Sequence, residues 1–275
     1  MSVNGLRAGA PDILRALAEQ KLRTVNAKLA SQSLATLRAN ALAHVDMRPS
    51  GLKAFEAALR APGLTFIAEC KKASPSKGLL APEYNARAQA RAYERAGAAA
   101  ISVLTEESRF LGSLTDLSAV TQAVKVPVLR KDFFVHEAMF YEAALAGASA
   151  VLLIVRLLDD ETLARFLALS ESLKLAALVE THDEVEIARA LALGAQVIGV
   201  NNRNLSTFGV DNERALRLRR AVPEHCTFVV ESGLQTIDDM KRARDVGADA
   251  VLVGEALMRA TDPVATLTAW KEATR

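Results

Sequence analysis

Polar side chains that can carry out acid–base chemistry recur at the ends of short apolar segments of this sequence. The first such segment ends in Ile67-Ala68-Glu69-Cys70-Lys71, so a carboxylate and an ammonium group stand two residues apart. Alternate residues of an extended chain point to the same side, so Glu69 and Lys71 share one face. The set comprises Glu69, Lys71, Lys131, Glu180, Asn201 and Glu231. Because ionisable groups are rarely buried unless they are paired or active, this set predicts a general acid–base site.

Eight apolar segments carry or precede these residues and predict eight buried strands. Short apolar runs without alternation are typical of strands that are covered on both faces. The segments are residues 64–70, 100–104, 126–131, 150–154, 175–180, 197–200, 226–231 and 250–254. Four of them follow a glycine that ends an amphipathic stretch, at Gly97, Gly147, Gly194 and Gly247. Glycine accepts the left-handed conformation at a helix end, so each of these phrases predicts a helix followed by a strand.

The alternation of strands and helices predicts an α/β fold, a single (β/α)8 barrel over residues 1–275. An open doubly wound sheet is the alternative, but no Gly-x-Gly-x-x-Gly turn follows the first strand to support it. Residues 1–62 form a helical extension, with helix expected over 11–45 and 51–59. This extension either packs against the outside or one end of the barrel, or covers its mouth as a lid. In such barrels catalytic groups lie at the carboxyl ends of the strands, where the polar residues stand.

Composition and charge exclude several classes of protein. The formal net charge is +2 and acidic and basic residues alternate along the chain, which argues against a nucleic-acid-binding surface. No apolar run is long enough to cross a bilayer, and the first ten residues lack the apolar core of a secretory signal. The four histidines show no metal-ligand spacing. We therefore expect a cytoplasmic protein that binds neither nucleic acid nor a membrane and has no histidine metal site. Its oligomeric state is unknown, with a monomer favoured.

Two glycine-bearing turns follow the last two predicted strands, at Ser232-Gly233 and Gly254-Glu255. In α/β barrels this position commonly binds phosphate through backbone N–H groups, and glycine lets the backbone approach the anion closely. Ser74 and Ser76, in the basic loop after the first strand, are placed to close over the same anion. The sequence thus predicts a phosphate site at Ser74, Gly233 and Gly254.

Several of these segments resemble the indole-3-glycerol phosphate synthase family. The first-strand segment, Ile67-Ala68-Glu69-Cys70-Lys71-Lys72-Ala73-Ser74-Pro75-Ser76, is similar to that family's signature. Further segments stand in family order, namely Val103-Leu104-Thr105-Glu106, Leu129-Arg130-Lys131-Asp132-Phe133, Leu178-Val179-Glu180, Gly199-Val200-Asn201-Asn202-Arg203-Asn204-Leu205 and Glu231-Ser232-Gly233. With residues 13–30 included, the resemblance runs almost end to end.

The resemblance implies decarboxylation and ring closure of 1-(2-carboxyphenylamino)-1-deoxyribulose 5-phosphate to indole-3-glycerol phosphate, carbon dioxide and water, without cofactor or metal. It implies that Lys131 is the general acid, that Glu180 stabilises the cationic intermediate, and that Lys71 and Glu69 serve the later dehydration. Lysines crowded by cations and apolar walls are expected to be poised near neutral pH. The remaining implied residues are Asn201 and Glu231 for catalysis, Arg203, Ser232, Phe110 and Phe133 for substrate binding, and Ser74, Gly233 and Gly254 for phosphate.

One departure and three rival functions accompany this resemblance. Leu111 stands where the family usually carries an amide side chain, so this loop is expected to lack one polar contact with the substrate. The rivals are phosphoribosylanthranilate isomerase, a Schiff-base aldolase and a non-catalytic metabolite-binding barrel. The isomerase needs no paired lysines after the first and third strands, and the aldolase would trap its substrate on a lysine under borohydride. A non-catalytic barrel would carry the rim charges at a cost in stability, with no catalytic return.

Overall fold

The architecture is a closed barrel of eight parallel strands in the computed structural model, which describes residues 5–46, 51–75, 78–81, 83–204, 207 and 209–275. The strands are β1 (Thr65–Cys70), β2 (Ala100–Leu104), β3 (Val128–Lys131), β4 (Ala150–Ile154), β5 (Ala176–Thr181), β6 (Val197–Asn201), β7 (Thr227–Glu231) and β8 (Ala250–Val253). Each strand pairs with its neighbours in the chain, and β1 closes the barrel by pairing with β8. The predicted (β/α)8 barrel is confirmed, and the doubly wound alternative is wrong.

Each of the eight predicted apolar segments overlaps one of these strands, with small differences at the ends. The segment predicted from residue 126 becomes a strand only at Val128. Pro127 precedes it and has no N–H to donate to a ladder, so regular pairing begins after it. At the other end, β6 extends one residue further than predicted and includes Asn201. This places the Asn201 side chain at the carboxyl end of a strand rather than in a loop.

Helices follow the strands and cover the outside of the barrel. The helices of the described chain are α1 (Asp12–Leu29), α2 (Leu34–Asp46), α3 (Gly51–Leu59), α4 (Ala86–Arg95), α5 (Leu114–Thr121), α6 (Ala138–Leu145), α7 (Asp160–Ser172), α8 (Glu184–Ala192), α9 (Arg214–Leu218), α10 (Ile237–Asp245), α11 (Glu255–Arg259) and α12 (Pro263–Ala273). The four glycines that the sequence singled out adopt φ angles between 86° and 89°, as predicted for helix ends. No helix within these ranges combines the length and apolar character that a membrane span requires.

The three helices that precede β1 occupy different places around the barrel. α3 contacts β1, β2, β4 and β5 and buries Phe55 and Leu59, so it closes the end of the barrel where the strands begin. α2 packs against α6 on the outer surface. The prediction of a single helix over 11–45 is wrong, because residues 30–33 interrupt the helix. The Ser33 hydroxyl accepts a hydrogen bond from the Thr36 N–H and caps the start of α2. The positions of α2 and α3 agree with packing at the outside and at one end of the barrel.

α1 is fastened to the barrel by a buried ion pair. The Lys21 side chain is 3% exposed, and its Nζ lies 3.0 Å from Asp132 Oδ2. Asp132 directly follows β3 and also accepts hydrogen bonds from the Thr105 hydroxyl at 2.6 Å and from Arg130 at 3.3 Å. Lys21 pairs in addition with Glu107 in the loop after β2. A lysine of the extension therefore contacts the residue next to Lys131.

Replacing Lys21 with alanine is expected to lower the free energy of unfolding by about 2 kcal/mol. Breaking a buried ion pair typically costs about 3–5 kcal/mol, but Asp132 keeps Thr105 and Arg130 as partners, which reduces the loss. Denaturant unfolding followed by circular dichroism measures the change. Arg23→Ala on the exposed side of α1 is the matched control and should change stability by less than about 0.5 kcal/mol. Equal effects of the two substitutions would contradict the anchoring role of Lys21.

Candidate active site

A cavity of about 370 Å³ opens where the carboxyl ends of the strands meet. Its lining includes twelve of the thirteen residues that the sequence singled out, namely Glu69, Lys71, Ser74, Phe110, Lys131, Phe133, Glu180, Asn201, Arg203, Ser232, Gly233 and Gly254. Glu231 is the exception, because it is 0% exposed and lies behind Lys131. Glu231 therefore does not line the cavity itself, but it contacts Lys131, which does.

Lysines and carboxylates at the floor of the cavity form one connected cluster. Lys71 Nζ donates to Glu69 Oε1 at 2.6 Å, which confirms that these two side chains share a face of β1. Lys131 Nζ donates to Glu231 Oε2 at 2.9 Å and lies 3.9 Å from Glu69 Oε2. Glu180 acts electrostatically on both Lys131 and Glu231. Lys131 thus lies among three carboxylates contributed by three different strands.

The surroundings of Lys131 stabilise its charged form. Burial lowers the pKa of Lys131, but Glu231, Glu69 and Glu180 together outweigh burial and raise it above its ordinary range. The expectation that crowding poises the site's lysines near neutral pH is therefore wrong for Lys131, because carboxylates rather than cations surround it. An ammonium group that keeps its proton at neutral pH is suited to donate that proton once a substrate atom becomes basic.

The two buried carboxylates beside Lys131 differ in their environment. Burial raises the pKa of Glu231, Lys131 lowers it and Glu180 raises it again, with the result that it lies at about 7. Burial also raises the pKa of Glu69, but the opposite effect of Lys71 and Lys131 is larger and leaves this pKa below its ordinary value. At neutral pH Glu69 is therefore ionised, whereas Glu231 titrates close to neutral pH.

The end of the cavity under β7 and β8 carries the features expected of a phosphate site. Ser232 and Gly233 adopt φ angles of 65° and 82°, so two successive residues take the left-handed conformation. Ser74 Oγ is buried, lines the same cavity and has no hydrogen-bond partner among the described residues. Arg203 reaches this region and donates to Glu255 at 3.2 Å. The neighbouring Ser76, which belongs to the same predicted loop, lies outside the described residues.

Two aromatic rings form an apolar wall of the cavity. The ring centroids of Phe110 and Phe133 are 6.5 Å apart with a tilted orientation, and both rings line the cavity. The buried Glu106 carboxylate holds the loop that carries Phe110 by accepting the backbone N–H groups of Arg109 and Phe110. The next residue, Leu111, is exposed with a φ of 54°, and it does not line the cavity. An aromatic wall facing a charged cluster suits a ligand with both an aromatic and a polar part.

Within the described residues, no group of three or more histidine, cysteine, aspartate or glutamate side chains is arranged to hold a metal ion. The charged cluster consists instead of alternating acids and bases that neutralise one another.

Comparison with known proteins identifies the family. A family model described as indole-3-glycerol phosphate synthase matches residues 14–269. The chain is 51% identical to the indole-3-glycerol phosphate synthase of Ruminiclostridium cellulolyticum over 214 residues, which cover 78% of this chain and 82% of that protein. It is 46% identical to the one from Endomicrobium trichonymphae over 245 residues, which cover 88% of this chain and 93% of that protein. The chain belongs to the indole-3-glycerol phosphate synthase family.

Solved structures at low sequence identity support the barrel fold of this family member. A 3-hexulose-6-phosphate synthase has a TM-score of 0.62 at 18% identity and covers 77% of this chain and 100% of its own. A thiamine phosphate pyrophosphorylase from Pyrococcus furiosus has a TM-score of 0.58 at 17% identity and covers 79% of this chain and 96% of its own. At such identities the likeness concerns the fold alone, whereas the family rests on the sequence matches.

Two glycines of this synthase-family site have a role that the sequence did not indicate. A Cβ on Gly199 would lie 2.2 Å from Glu231 Oε1, and a Cβ on Gly254 would lie 2.4 Å from Glu69 Oε1. Each glycine thus makes room for a buried carboxylate of the cluster. Gly199 stands alone inside an apolar strand, and this is a recognisable sign of close approach by another group. Gly254 was assigned to phosphate binding, and its lack of a side chain also serves Glu69.

Replacing Glu231 with glutamine is expected to change how stability depends on pH. The folded-state pKa of Glu231 lies at about 7, above the ordinary value of 4.5. Its protonated carboxyl group therefore contributes to the stability of the fold fully below pH 4.5, and this contribution is lost as the pH rises through 7. Glutamine does not ionise and avoids this loss. Between pH 5 and pH 8 the free energy of unfolding of the Glu231→Gln variant should therefore rise by about 2 kcal/mol relative to that of the unmodified protein.

Denaturant unfolding at both pH values measures this change. Glu171→Gln, at an exposed position near the end of α7, is the control and should show no such trend. A stability difference between Glu231→Gln and the unmodified protein that stays constant from pH 5 to pH 8 would contradict the raised pKa of Glu231.

Proposed function

We propose that this protein converts 1-(2-carboxyphenylamino)-1-deoxyribulose 5-phosphate to indole-3-glycerol phosphate, carbon dioxide and water. The observation that carries the proposal is Lys131, held among three carboxylates at the floor of a cavity. That cavity also has an aromatic wall and a serine- and glycine-lined end, which match the anthranilate ring and the phosphate of this substrate. Family membership supports the same assignment.

In the proposed ring closure, Lys131 acts as the general acid. The ring carbon that carries the carboxylate attacks the ribulose carbonyl carbon, and Lys131 delivers a proton to the carbonyl oxygen as negative charge develops there. Its pKa, raised by Glu231, Glu69 and Glu180 against the effect of burial, ensures that the proton is present at neutral pH. Loss of carbon dioxide then restores aromaticity to the ring.

Glu180 and Glu231 are proposed to stabilise the cationic intermediate that ring closure creates. Glu180 lines the cavity, whereas Glu231 lies behind Lys131 and acts through it. Because both carboxylates are almost inaccessible to water, their charges are weakly screened and act strongly on a nearby cation. Glu180 at the wall of the cavity and Glu231 behind Lys131 are thus both placed to stabilise a positive charge that develops on the substrate.

The final loss of water is proposed to use Lys71 and Glu69. The two groups are 2.6 Å apart, so one can protonate the leaving hydroxyl while the other removes a ring proton. Asn201, Arg203 and Ser232 are proposed to orient the sugar hydroxyls, and Phe110 and Phe133 to pack against the anthranilate ring. Ser74, Gly233 and Gly254 are proposed to hold the phosphate. We also propose a cytoplasmic location, which the two free buried cysteines support.

Incubation of the purified protein with the carboxyphenylamino-deoxyribulose phosphate tests the proposal. We expect indole absorbance and fluorescence to build up with one carbon dioxide released for each indole formed, and EDTA to leave the rate unchanged. Borohydride added during turnover should form no adduct with Lys131, since no Schiff base is part of the mechanism. Absence of indole formation would overturn the proposed function. Conversion of phosphoribosylanthranilate instead would favour the isomerase.

A further inference from the structure

The buried imidazole of His182 lies directly behind Glu180. His182 follows β5 and precedes α8, and its side chain is 1% exposed. Its Nε2 lies 3.6 Å from Glu180 Oε1. Both atoms are buried, and neither has a hydrogen-bond partner among the described residues. A potential donor and a potential acceptor thus face each other across a gap slightly longer than a formed hydrogen bond.

The other side of the imidazole is held by Glu186 on α8. His182 Nδ1 lies 3.2 Å from Glu186 Oε2, and the backbone N–H of His182 donates to the same oxygen at 2.8 Å. Glu186 Oε1 accepts from Arg156 Nε at 2.6 Å, and the Arg7 guanidinium lies 4.0 Å away. Burial raises the pKa of Glu186, but the opposite effect of His182 and Arg156 is larger, so the pKa lies below its ordinary value. Glu186 is therefore ionised, and it orients the imidazole from the Nδ1 side.

The Nε2 atom is the contact that the imidazole can offer to Glu180. A buried polar atom without a hydrogen bond carries a cost in free energy, and both His182 Nε2 and Glu180 Oε1 are in that position among the described residues. A hydrogen bond between them would remove the cost for both atoms at once.

We propose that His182 is a positioning residue that holds Glu180 through a hydrogen bond between Nε2 and Oε1, and that Glu186 and Arg156 orient the imidazole for this purpose. The inference deepens the proposed function and rests on it, because Glu180 is the group that is positioned. His182 is not among the residues that line the cavity. Its effect is to fix the Glu180 carboxylate from behind, and hydrogen bonds at catalytic sites commonly shorten once the ligand is bound.

Two substitutions separate the two sides of the imidazole. The amide of His182→Asn reaches only the position of Nδ1, so it keeps the contact with Glu186 and loses the one with Glu180. The longer side chain of His182→Gln places an amide N–H near the position of Nε2. We expect His182→Asn to lower kcat about 10-fold with KM changed less than about twofold, and His182→Gln to recover kcat to within about threefold of the unmodified enzyme.

A matched control and a second background complete the test. His136→Asn alters another histidine whose Nδ1 accepts a backbone N–H at a helix start, and kcat should not change. In a Glu180→Gln background, His182→Asn should lower the residual rate less than about twofold, since the residue that His182 positions is already altered. Circular dichroism and the melting midpoint verify that every variant is folded.

Several outcomes would overturn the inference. His182→Asn with an unchanged kcat would do so, as would folded asparagine and glutamine variants with the same loss. An undiminished effect of His182→Asn in the Glu180→Gln background would show that it does not act through Glu180. If the unmodified protein forms no indole, the proposed function is overturned and this inference with it. If the unmodified protein turns over normally and any of the results above is found, the inference alone is overturned.

Discussion

Lys131→Ala is expected to lower kcat at least about 10³-fold while the barrel stays folded. The substitution removes the general acid of the proposed ring closure, and proton transfer by a positioned side chain typically contributes about 10²–10⁴-fold. It also removes the cation that lies 2.9 Å from Glu231 and 3.9 Å from Glu69. The cost in stability is limited, because the pKa of Glu231 at about 7 lets this carboxyl take up a proton instead of remaining charged and unpaired.

The rate of indole fluorescence at saturating substrate measures the effect of Lys131→Ala, and circular dichroism verifies the fold. Lys125→Ala is the matched control, because Lys125 is exposed and precedes the same strand at its opposite end. This control should turn over at the unmodified rate. A folded Lys131→Ala variant that keeps more than about one tenth of the unmodified kcat would refute the assigned role of Lys131.

Glu180→Gln is expected to lower kcat at least about 10²-fold with little change in KM. Glutamine has nearly the same shape and keeps one hydrogen-bond acceptor, so binding of the substrate should persist. It lacks the negative charge that faces the cavity, and a preorganised charge of this kind typically contributes about 10²–10³-fold when positive charge develops beside it. The loss should therefore appear in kcat rather than in KM.

Steady-state kinetics of Glu180→Gln separate the two parameters. Glu184→Gln on the exposed first turn of α8 provides the control. It removes the same charge four residues further along the chain, and Glu184 does not line the cavity. An increase in KM at unchanged kcat would indicate that Glu180 binds the ground state of the substrate, which contradicts the proposed stabilisation of an intermediate.

The strands and most of the lining of the site were predictable because they depend on local patterns. Strand β1 shows this clearly, since the alternation of an extended chain was enough to place Glu69 and Lys71 side by side. Motifs at the carboxyl ends of the other strands then indicated the residues that converge at the mouth. The barrel brought twelve of the thirteen selected residues to one cavity, although their catalytic roles stay predictions.

Other features depend on contacts between distant parts of the chain. Nothing local to Lys21 indicates its ion pair with Asp132, which lies 111 residues away. Likewise, the position of Glu231 behind Lys131 follows from the approach of β7 to β6, where Gly199 leaves room for the carboxylate. The raised pKa of Lys131 has the same origin, because its three carboxylate neighbours come from β1, β5 and β7.

The sequence by itself determined the barrel, the order of its strands and the residue types that stand at their carboxyl ends. These are properties of periodicity and of adjacent residues, which chain geometry translates directly into structure. The tertiary structure alone decided which charges pair, which carboxylate is hidden and how the extension is attached. Electrostatic energies depend on separations and burial, and only the closed barrel brings groups from different strands within 3–4 Å of one another.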